Sequence, residues 1–377
     1  MSNGLNLDIL HLVMSLSDRT TVSRVMKTCR ILNQEGARHI LRGRVTIRDA
    51  AGAGSLAEYV LANRDTVRMM ERLRWLTSLR LDISQCQDNP LAIARVITPF
   101  FISAASYADN FTELVLDDFE TVFAADPELP SAIAALGSLT RLELDWAGPT
   151  GSAMLGRLRS QLLHVEVRYD LDYPSLADTD RDSASLVHHS TPTLLSMSLQ
   201  HAKFSTSAPV YPVLRRLVLA DVDLVRTPTR HLVSTFPHLA ILYASDRPSL
   251  LHHDDVEERR EENLAAQREH GSWTSLLEFE GSFLALYVLG LACRVPLIRV
   301  YDDNYWDLDP GRLGAILAET RPMHLSVTLP NGHHFTANKT ELISLCRGFQ
   351  ELATLQDRKS TRLNSSHSGE SRMPSSA

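Results

Sequence analysis

A short pattern of apolar positions, apolar-x-x-apolar-x-apolar, recurs along the chain from residue 70 onward. Alternate residues of a strand point to opposite faces, so Leu79 and Leu81 would point inward while Arg80 and Asp82 would point outward. Each unit is too short to bury its own apolar side, and neighbouring units must therefore stack. The seven best copies of the pattern are centred on Leu79, Leu114, Leu142, Val165, Met197, Leu217 and Leu242.

Helices are expected between these strands, because the intervening stretches are apolar at helical spacing. Alternating strands and helices with short links favour parallel strands. The segment resembles the leucine-rich-repeat family, which implies a solenoid, and a two-layer α/β sheet domain is the alternative. The candidate helices span residues 91–108, 130–136, 152–158, 229–236, 283–293 and 310–319.

The predicted solenoid is irregular for two reasons. Its anchors are spaced unevenly, at roughly 20 to 35 residues. The Asn or Cys that the family carries three residues after the last Leu of the pattern is also absent. Without a continuous asparagine ladder, we expect the turns to be held by local hydrogen bonds. The residues at those positions are Ser84, Phe119, Ala147, Asp170, Ala202 and Val222.

Three short helices are predicted before the repeats. Asn6 can cap the first helix, and Asp8 in its first turn favours the positive end of the helix dipole. The segment Ser17–Thr21 ends that helix and caps the next one. A unit of this size is marginal alone and leans on its neighbour. The apolar stripes are Ile9, Leu10, Val13, Met14 and Leu16, then Val22, Val25, Met26 and Cys29, then Leu32, Ala37, Ile40 and Leu41.

Residues 5–14, with the sequence LNLDILHLVM, resemble the opening of an F-box. Asn6 stands where that family has Pro, and Leu32 stands near the usual Trp. Together with the ragged repeats, the chain is similar to fungal F-box proteins with leucine-rich repeats. The resemblance implies docking to the small adaptor subunit of a cullin-based ubiquitin ligase through Leu5, Ile9, Leu10, Val13 and Met14. The alternative is that the same apolar stripe packs on the following domain.

Composition narrows the class of protein. The chain has 377 residues, 44% hydrophobic residues and a net charge of −7. It has no basic stripe of the kind that binds nucleic acid. Four scattered cysteines without a C-x-x-C pair indicate neither disulfides nor zinc. The longest apolar run, Phe283–Cys293, is too short to span a membrane. No signal peptide is visible, and we expect a cytoplasmic or nuclear protein.

One motif suggests a cofactor. Residues 52–57 match G-x-G-x-x-A, precede a helix expected over residues 56–63, and have Glu71 about twenty residues on. Gly52 and Gly54 would then bind the nucleotide of a nucleotide-dependent enzyme, which is the least favoured hypothesis. The competing interpretation is a turn that leads into the first repeat. The sequence shows no G-x-S-x-G, P-loop or H-E-x-x-H motif, and its Asp178–Asp182 and paired-histidine stretches are interpreted as loops rather than metal sites.

Two other segments are unusual. Residues 302–309 place Tyr305 and Trp306 among carboxylates, which suggests an anchor for a protein partner or the acidic first turn of a helix near Pro310. Residues 254–270 form a charged block, predicted to be a solvated helix or a disordered insertion. The Ser-rich residues 357–377 are expected to be a disordered tail, and they resemble a translated adapter sequence.

The overall prediction is an α/β protein: an N-terminal F-box-like segment over residues 1–46, then an irregular repeat domain over residues 47–356. Its function is predicted as a non-enzymatic substrate receptor that binds an unknown target protein, with a repeat scaffold lacking a ligase role as the alternative. No catalytic residue, cofactor, metal, nucleic acid or membrane is expected. The outward positions, which favour a charged target of complementary sign, are Arg80, Asp82, Val115, Asp117, Glu143, Asp145, Glu166, Arg168, Ser198, Gln200 and Tyr243.

Overall fold

The computed structural model describes residues 6–61, 66–83, 89–171, 173, 176–205, 208–245, 253–301 and 310–328. Within these residues, eleven strands form one sheet, and their order in the sheet is their order along the chain. Every strand is parallel to its neighbour. A strictly sequential parallel sheet is the arrangement of a solenoid. The predicted α/β class and leucine-rich-repeat solenoid are therefore confirmed.

The strands are short, as the repeat pattern requires. The seven best copies of the pattern form β2 to β8, and three further strands, β9 to β11, follow them. The bounds are β1 (Val45–Ile47), β2 (Ser78–Asp82), β3 (Glu113–Asp117), β4 (Arg141–Ala147), β5 (His164–Tyr169), β6 (Ser196–Gln200), β7 (Arg216–Ala220), β8 (Ile241–Ala244), β9 (Glu278–Ser282), β10 (Leu297–Tyr301) and β11 (His324–Thr328).

Three helices come before the sheet, and eleven more lie between strands in the described part of the chain. Pro99 lies inside α6 without ending it, while Asn89 caps that helix by accepting from the backbone N–H of Ala92 at 3.0 Å. The bounds are α1 (Leu7–Leu16), α2 (Arg19–Met26), α3 (Arg30–Leu41), α4 (Ala50–Leu61), α5 (Thr66–Leu73), α6 (Pro90–Tyr107), α7 (Glu120–Ala125), α8 (Glu128–Ala134), α9 (Pro149–Leu155), α10 (Ser183–Leu186), α11 (Thr229–Thr235), α12 (His253–His270), α13 (Phe283–Leu289) and α14 (Pro310–Thr320).

Two cores hold these elements together. One continuous cluster of buried apolar side chains runs from Leu41 to Leu317 and joins the inward strand positions to the helices. A second, small core lies among α1, α2 and α3. Ile40 and Tyr59 pack against both cores. The first three helices therefore lean on the first repeat, as a unit of their size requires.

The turns after the strands follow a rule that the sequence did not reveal. The expected asparagine position is apolar and buried at Phe119, Ala147, Ala202 and Val222. The residue before each of these is left-handed, with φ between 51° and 59°, at Asp118, Trp146, His201 and Asp221. The backbone N–H of Asp118 donates to Asp145 on the next strand at 3.2 Å, and that of His201 donates to Ala220 at 3.0 Å. The expectation of local hydrogen bonds is wrong, because these bonds join successive repeats.

Buried serines provide another link between repeats. The Ser160 hydroxyl donates to the Leu136 carbonyl at 2.6 Å and accepts from the Leu139 backbone N–H at 3.1 Å. The Ser190 hydroxyl repeats this one coil later, donating to the Ser160 carbonyl at 3.5 Å and accepting from the Leu162 N–H at 3.0 Å. Both serines are fully buried. They satisfy backbone groups just before β4 and β5.

The charged block is neither a solvated helix nor a disordered insertion over its described length. It forms α12, and it buries a polar stripe made of Arg260, Asn263 and Gln267. These side chains cap the end of α13, where the last carbonyls have no partner within the helix. Arg260 donates to the Tyr287 carbonyl, Asn263 to Val288, and Gln267 to Leu289 and Gly290, at 2.7 to 3.1 Å.

Candidate functional site

The outer face of the sheet, away from the main core, carries a group of carboxylates on β2 to β5. We call Asp82, Asp117, Glu143, Asp145 and Glu166 the acidic patch. All five are partly exposed, whereas the alternating leucines and valines of the same strands are buried. The predicted alternation therefore places these five residues, all of them sequence candidates, on one surface. Val115, also expected to point outward, is fully buried and adds no surface to the patch.

Strand register brings the acids together. Asp82 on β2 lies beside Asp117 on β3, which lies beside Asp145 on β4. In the row above, Glu143 on β4 lies directly beside Glu166 on β5. Neighbouring strands are about 4.8 Å apart, so each carboxylate has another one as a close neighbour. This clustering needs the parallel register and is not visible in the linear sequence.

The acids of the patch disturb one another electrostatically. Burial raises the pKa of Asp117 above its ordinary value, and the charges of Asp145 and Asp82 raise it further, against the opposing effect of Arg80. Burial likewise raises the pKa of Glu166, with Glu143 and Asp145 adding to the effect. Burial also raises the pKa of Asp145, although Arg168 opposes that shift. Negative charge in the patch is therefore only partly compensated within the chain.

Two predicted arginines lie inside the patch. Arg80 contacts Asp117 at 3.4 Å, and Arg168 contacts Asp145 at 3.7 Å. Arg168 also donates to the Gln200 side chain at 2.6 Å, which in turn donates to Asp221 at 2.8 Å. Arg141 in addition pairs with Glu143, so three arginines face the five carboxylates and the patch keeps an excess of acid.

Glu113, on the same face, differs from the patch. Burial would raise its pKa, but hydrogen bonds from Ser78 and Arg44 and the charge of Arg141 outweigh burial, so its pKa is lowered. Ser78 donates to it at 2.6 Å, and Arg141 lies 3.6 Å away. Glu113 therefore belongs to a structural ion-pair cluster, and Arg141 of that cluster also pairs with Glu143 of the acidic patch.

An aromatic pair lies further along the outer face. The hydroxyl of Tyr301 on β10 hydrogen-bonds that of Tyr243 on β8, and the two ring centres are 6.1 Å apart. Tyr243 was a sequence candidate, whereas Tyr301 was missed because it is two strands and 58 residues away. Tyr305 and Trp306, the other aromatic candidates, lie outside the described residues.

Helix α1 presents an apolar row to solvent. Ile9, Leu12, Val13 and Leu16 recur at i, i+3, i+4 and i+7, and all are exposed, Val13 at 45% and Leu16 at 80%. Ile9 and Val13 were predicted adaptor contacts. Leu12 and Leu16 were not among the predicted adaptor contacts, although Leu16 belongs to the predicted apolar stripe and Leu12 has helical spacing relative to Ile9.

The other three predicted docking residues are not part of this exposed row. Met14 is only 1% exposed and packs with Val22, Met26 and Leu32, so its assignment to a docking face is wrong. The reason is geometric, since Met14 lies on the side of the helix that covers the small core. Leu10 is partly buried against that same core, and Leu5 lies outside the described residues.

The nucleotide fingerprint is not formed. Gly52 and Gly54 lie inside α4, which begins at Ala50, so neither a phosphate loop nor the turn considered as its alternative exists there. The N-terminus of α4 is already capped, because the Gly52 backbone N–H donates to Asp49 at 2.6 Å. Among the described residues no cluster of three or more His, Cys, Asp or Glu is arranged to hold a metal ion.

One helix in the described ranges, α6, is long and apolar enough to cross a membrane by length and composition. Phe100, Phe101 and Ala104 of this helix lie in the main core. This is the arrangement of a core helix in the repeat array.

Comparisons with known proteins accompany this geometry. No protein-family model and no curated protein matches the sequence. Among solved structures, the leucine-rich-repeat-containing protein LegL7 from Legionella pneumophila is 13% identical with a TM-score of 0.41, over 90% of this chain and 95% of that one. A chain from the Rad7 and Elc1 complex in yeast is 12% identical with a TM-score of 0.35, over 87% of this chain and 89% of that one.

Proposed function

We propose that this chain is a protein-interaction subunit that holds a basic target on its acidic patch. We further propose that its first helix docks to the small adaptor of a cullin-based ubiquitin ligase. The observation that carries the proposal is the acidic patch itself, in which three of the five acids have raised pKa values. Folding stability alone favours neutral or fully paired side chains at such positions.

A basic partner explains why these carboxylates remain. Lysines and arginines of a target would relieve the repulsion among neighbouring acids, so part of the binding free energy comes from a strain already present in the free protein. A surface of one sign also speeds encounter with a partner of the opposite sign. The Tyr243–Tyr301 pair on the same face adds an aromatic surface of the kind that anchors protein interfaces.

The exposed row on α1 supports the docking part of the proposal. A helix that buries Met14 on one side and exposes Ile9, Leu12, Val13 and Leu16 on the other has two apolar faces. Only one of them is needed for the small core, and an apolar row left in water favours a partner. The resemblance of residues 5–14 to an F-box points to the ligase adaptor as that partner.

The proposed mechanism is proximity rather than chemistry. A target held on β2 to β5 and an adaptor held on α1 would share one rigid scaffold. The chain then raises the effective concentration of the target beside the ubiquitin-transfer machinery and carries out no covalent step itself. A receptor of this kind would act in the cytoplasm or nucleus.

A second candidate function is a repeat scaffold whose N-terminal helices only cap the solenoid. Terminal caps are a physical requirement of repeat arrays, and the packing of Ile40 and Tyr59 against both cores favours this role. The two functions differ in what the exposed row on α1 does, since a cap needs only the buried face.

Titration of the purified chain with purified adaptor, followed by calorimetry, tests the docking function. Val13→Asp places a charge in the exposed row and is expected to abolish binding while leaving the fold intact. Ser15→Asp is the matched control, because it adds the same charge two residues along α1, at an exposed position outside the apolar row. If wild type fails to bind adaptor, or if Val13→Asp unfolds the chain, the capping function is favoured instead.

A further inference from the structure

A cavity of about 590 Å³ lies where α2 and α3 meet α5, at the junction of the N-terminal helices and the first repeat. Its volume falls in the range of small-molecule sites. Six of its thirteen lining residues are cationic or aromatic, namely Lys27, Arg30, Arg68, Arg72, Arg74 and Trp75. None of these residues belongs to the acidic patch or to the exposed row on α1.

The charge of this cavity is opposite to that of the whole chain. Five cations line it against two acids, Glu35 and Glu71, in a protein whose net charge is −7. Glu35 is already shared with Arg38 at 3.6 Å and with His11 at 3.7 Å. Within the described residues, Lys27, Arg30 and Arg74 have no ion pair. The cavity therefore holds uncompensated positive charge.

The N-terminus of α3 adds to this positive charge. Cys29 and Arg30, at the start of this twelve-residue helix, line the cavity. No side chain caps the helix, and its first turn contains no acid. The free backbone N–H groups and the helix dipole at such an end favour an anion.

Arg72 is held in place on the cavity wall. It donates to the Tyr59 carbonyl and, at 3.3 Å, to the Asn33 side chain, and its guanidinium lies 4.3 Å from the centre of the Tyr59 ring. Asn33, Tyr59 and Arg72 lie on α3, α4 and α5, so three helices fix one guanidinium. A pre-positioned guanidinium loses little entropy on binding a ligand.

We propose that this cavity binds a small molecule carrying a polyphosphate group. Guanidinium groups match phosphate oxygens in a two-point geometry, and a charge excess of three calls for more than one anionic group. Trp75 is partly exposed at the cavity and offers a flat surface for a ring, if the ligand carries one. A bound polyphosphate contacts α3 and α5 together and so fastens the N-terminal helices to the first repeat. The site goes beyond the proposed receptor function and requires no enzymatic step.

The test is calorimetric titration of the full chain with inorganic tripolyphosphate at low salt, with citrate as a carboxylate control. We expect one saturable site for tripolyphosphate and none for citrate. Lys27→Gln and Arg74→Gln, both at exposed side chains, are each expected to weaken binding about tenfold. Arg95→Gln, at an exposed arginine on α6 outside the cavity, is expected to change nothing.

A second titration, with ATP, identifies which kind of molecule supplies the polyphosphate group. Tighter binding of ATP than of tripolyphosphate, lost in Trp75→Ala, assigns the site to a nucleotide. Equal affinities assign it to the polyphosphate group alone, and both results support the proposal. Absence of tripolyphosphate binding at millimolar concentration, equal binding of citrate, or equal affinities for wild type and the Lys27 and Arg74 variants would overturn it.

Discussion

Glu143 on β4 and Glu166 on β5 are direct register partners, so the parallel sheet holds two carboxylates side by side on its outer face. Burial and the charges of Glu143 and Asp145 raise the pKa of Glu166. No ion pair to Glu166 exists within the described residues. Arg141 pairs with Glu143, but the charge of Glu143 still raises the pKa of Glu166, so the two side chains repel each other.

The first prediction follows from this repulsion. Glu166→Gln keeps the shape of the side chain and removes one of the two charges, so the folded state should become more stable. Like charges on neighbouring strands destabilise a sheet by about 0.2–1 kcal/mol, and we expect a gain within that range at pH 7. Urea unfolding of wild type and variant measures it. A loss of stability would show that Glu166 serves the fold rather than a partner.

The second prediction concerns pH. Because the pKa of Glu166 is raised in the folded state, ionisation of this residue destabilises the fold, and the penalty is full above the raised pKa. It fades as pH falls through the folded pKa and vanishes below the ordinary glutamate value of 4.5. The stability gain of Glu166→Gln should shrink in the same way on acidification. Comparing the two proteins at each pH cancels other titrations, and a gain that is constant with pH would contradict the raised pKa.

A third prediction tests a buried carboxylate inside the solenoid. Glu120 is buried and accepts from the backbone N–H groups of Gly148 at 3.1 Å, Thr150 at 2.5 Å and Gly151 at 3.0 Å, which caps α9. Glu120→Ala leaves these donors without an acceptor and should lower the free energy of unfolding by about 2–4 kcal/mol. Thermal unfolding measures the loss. Glu128→Ala, at an exposed acid in the first turn of α8, should cost less than about 1 kcal/mol.

The fourth prediction tests the buried stripe of α12. Asn263 accepts from the Thr229 N–H at 2.9 Å and donates to the Val288 carbonyl at 2.8 Å, so Asn263→Ala removes two links between helices. We expect a loss of about 2–3 kcal/mol in urea unfolding. The matched control, Glu261→Ala, changes an exposed residue of the same helix and should be nearly neutral. Equal effects of the two variants would show that α12 is a solvated helix, as its composition suggested.

The sequence predicted the features that depend on side-chain alternation. Leu142 and Leu144 face the core and Glu143 and Asp145 do not, because a strand has a period of two. Helix α12 was misjudged because Arg260, Asn263 and Gln267 form much of its buried side, so it has little apolar periodicity. Met14 was misplaced because an apolar stripe does not show which of its members face the core.

Contacts between residues on different strands or segments could not be predicted from the sequence. Tyr243 and Tyr301 meet across β9 although they are not in register, since Tyr243 pairs with Glu280 and Glu280 pairs with Arg299, two residues before Tyr301. The cavity at α2, α3 and α5 joins residues from two segments, neither of which is unusual by itself. Such contacts depend on how the coils stack, which the uneven spacing of the repeats does not specify.

The most direct test of the account is affinity capture of the full chain from cells, with partners quantified by mass spectrometry. The patch variant carries Glu143→Lys and Glu166→Lys, and the control carries Glu258→Lys and Glu261→Lys on the exposed side of α12. We expect the patch variant alone to lose a set of partners with basic surfaces, while the ligase adaptor is retained by both. An unchanged set of partners in the patch variant would contradict the central claim that the acidic patch holds the target.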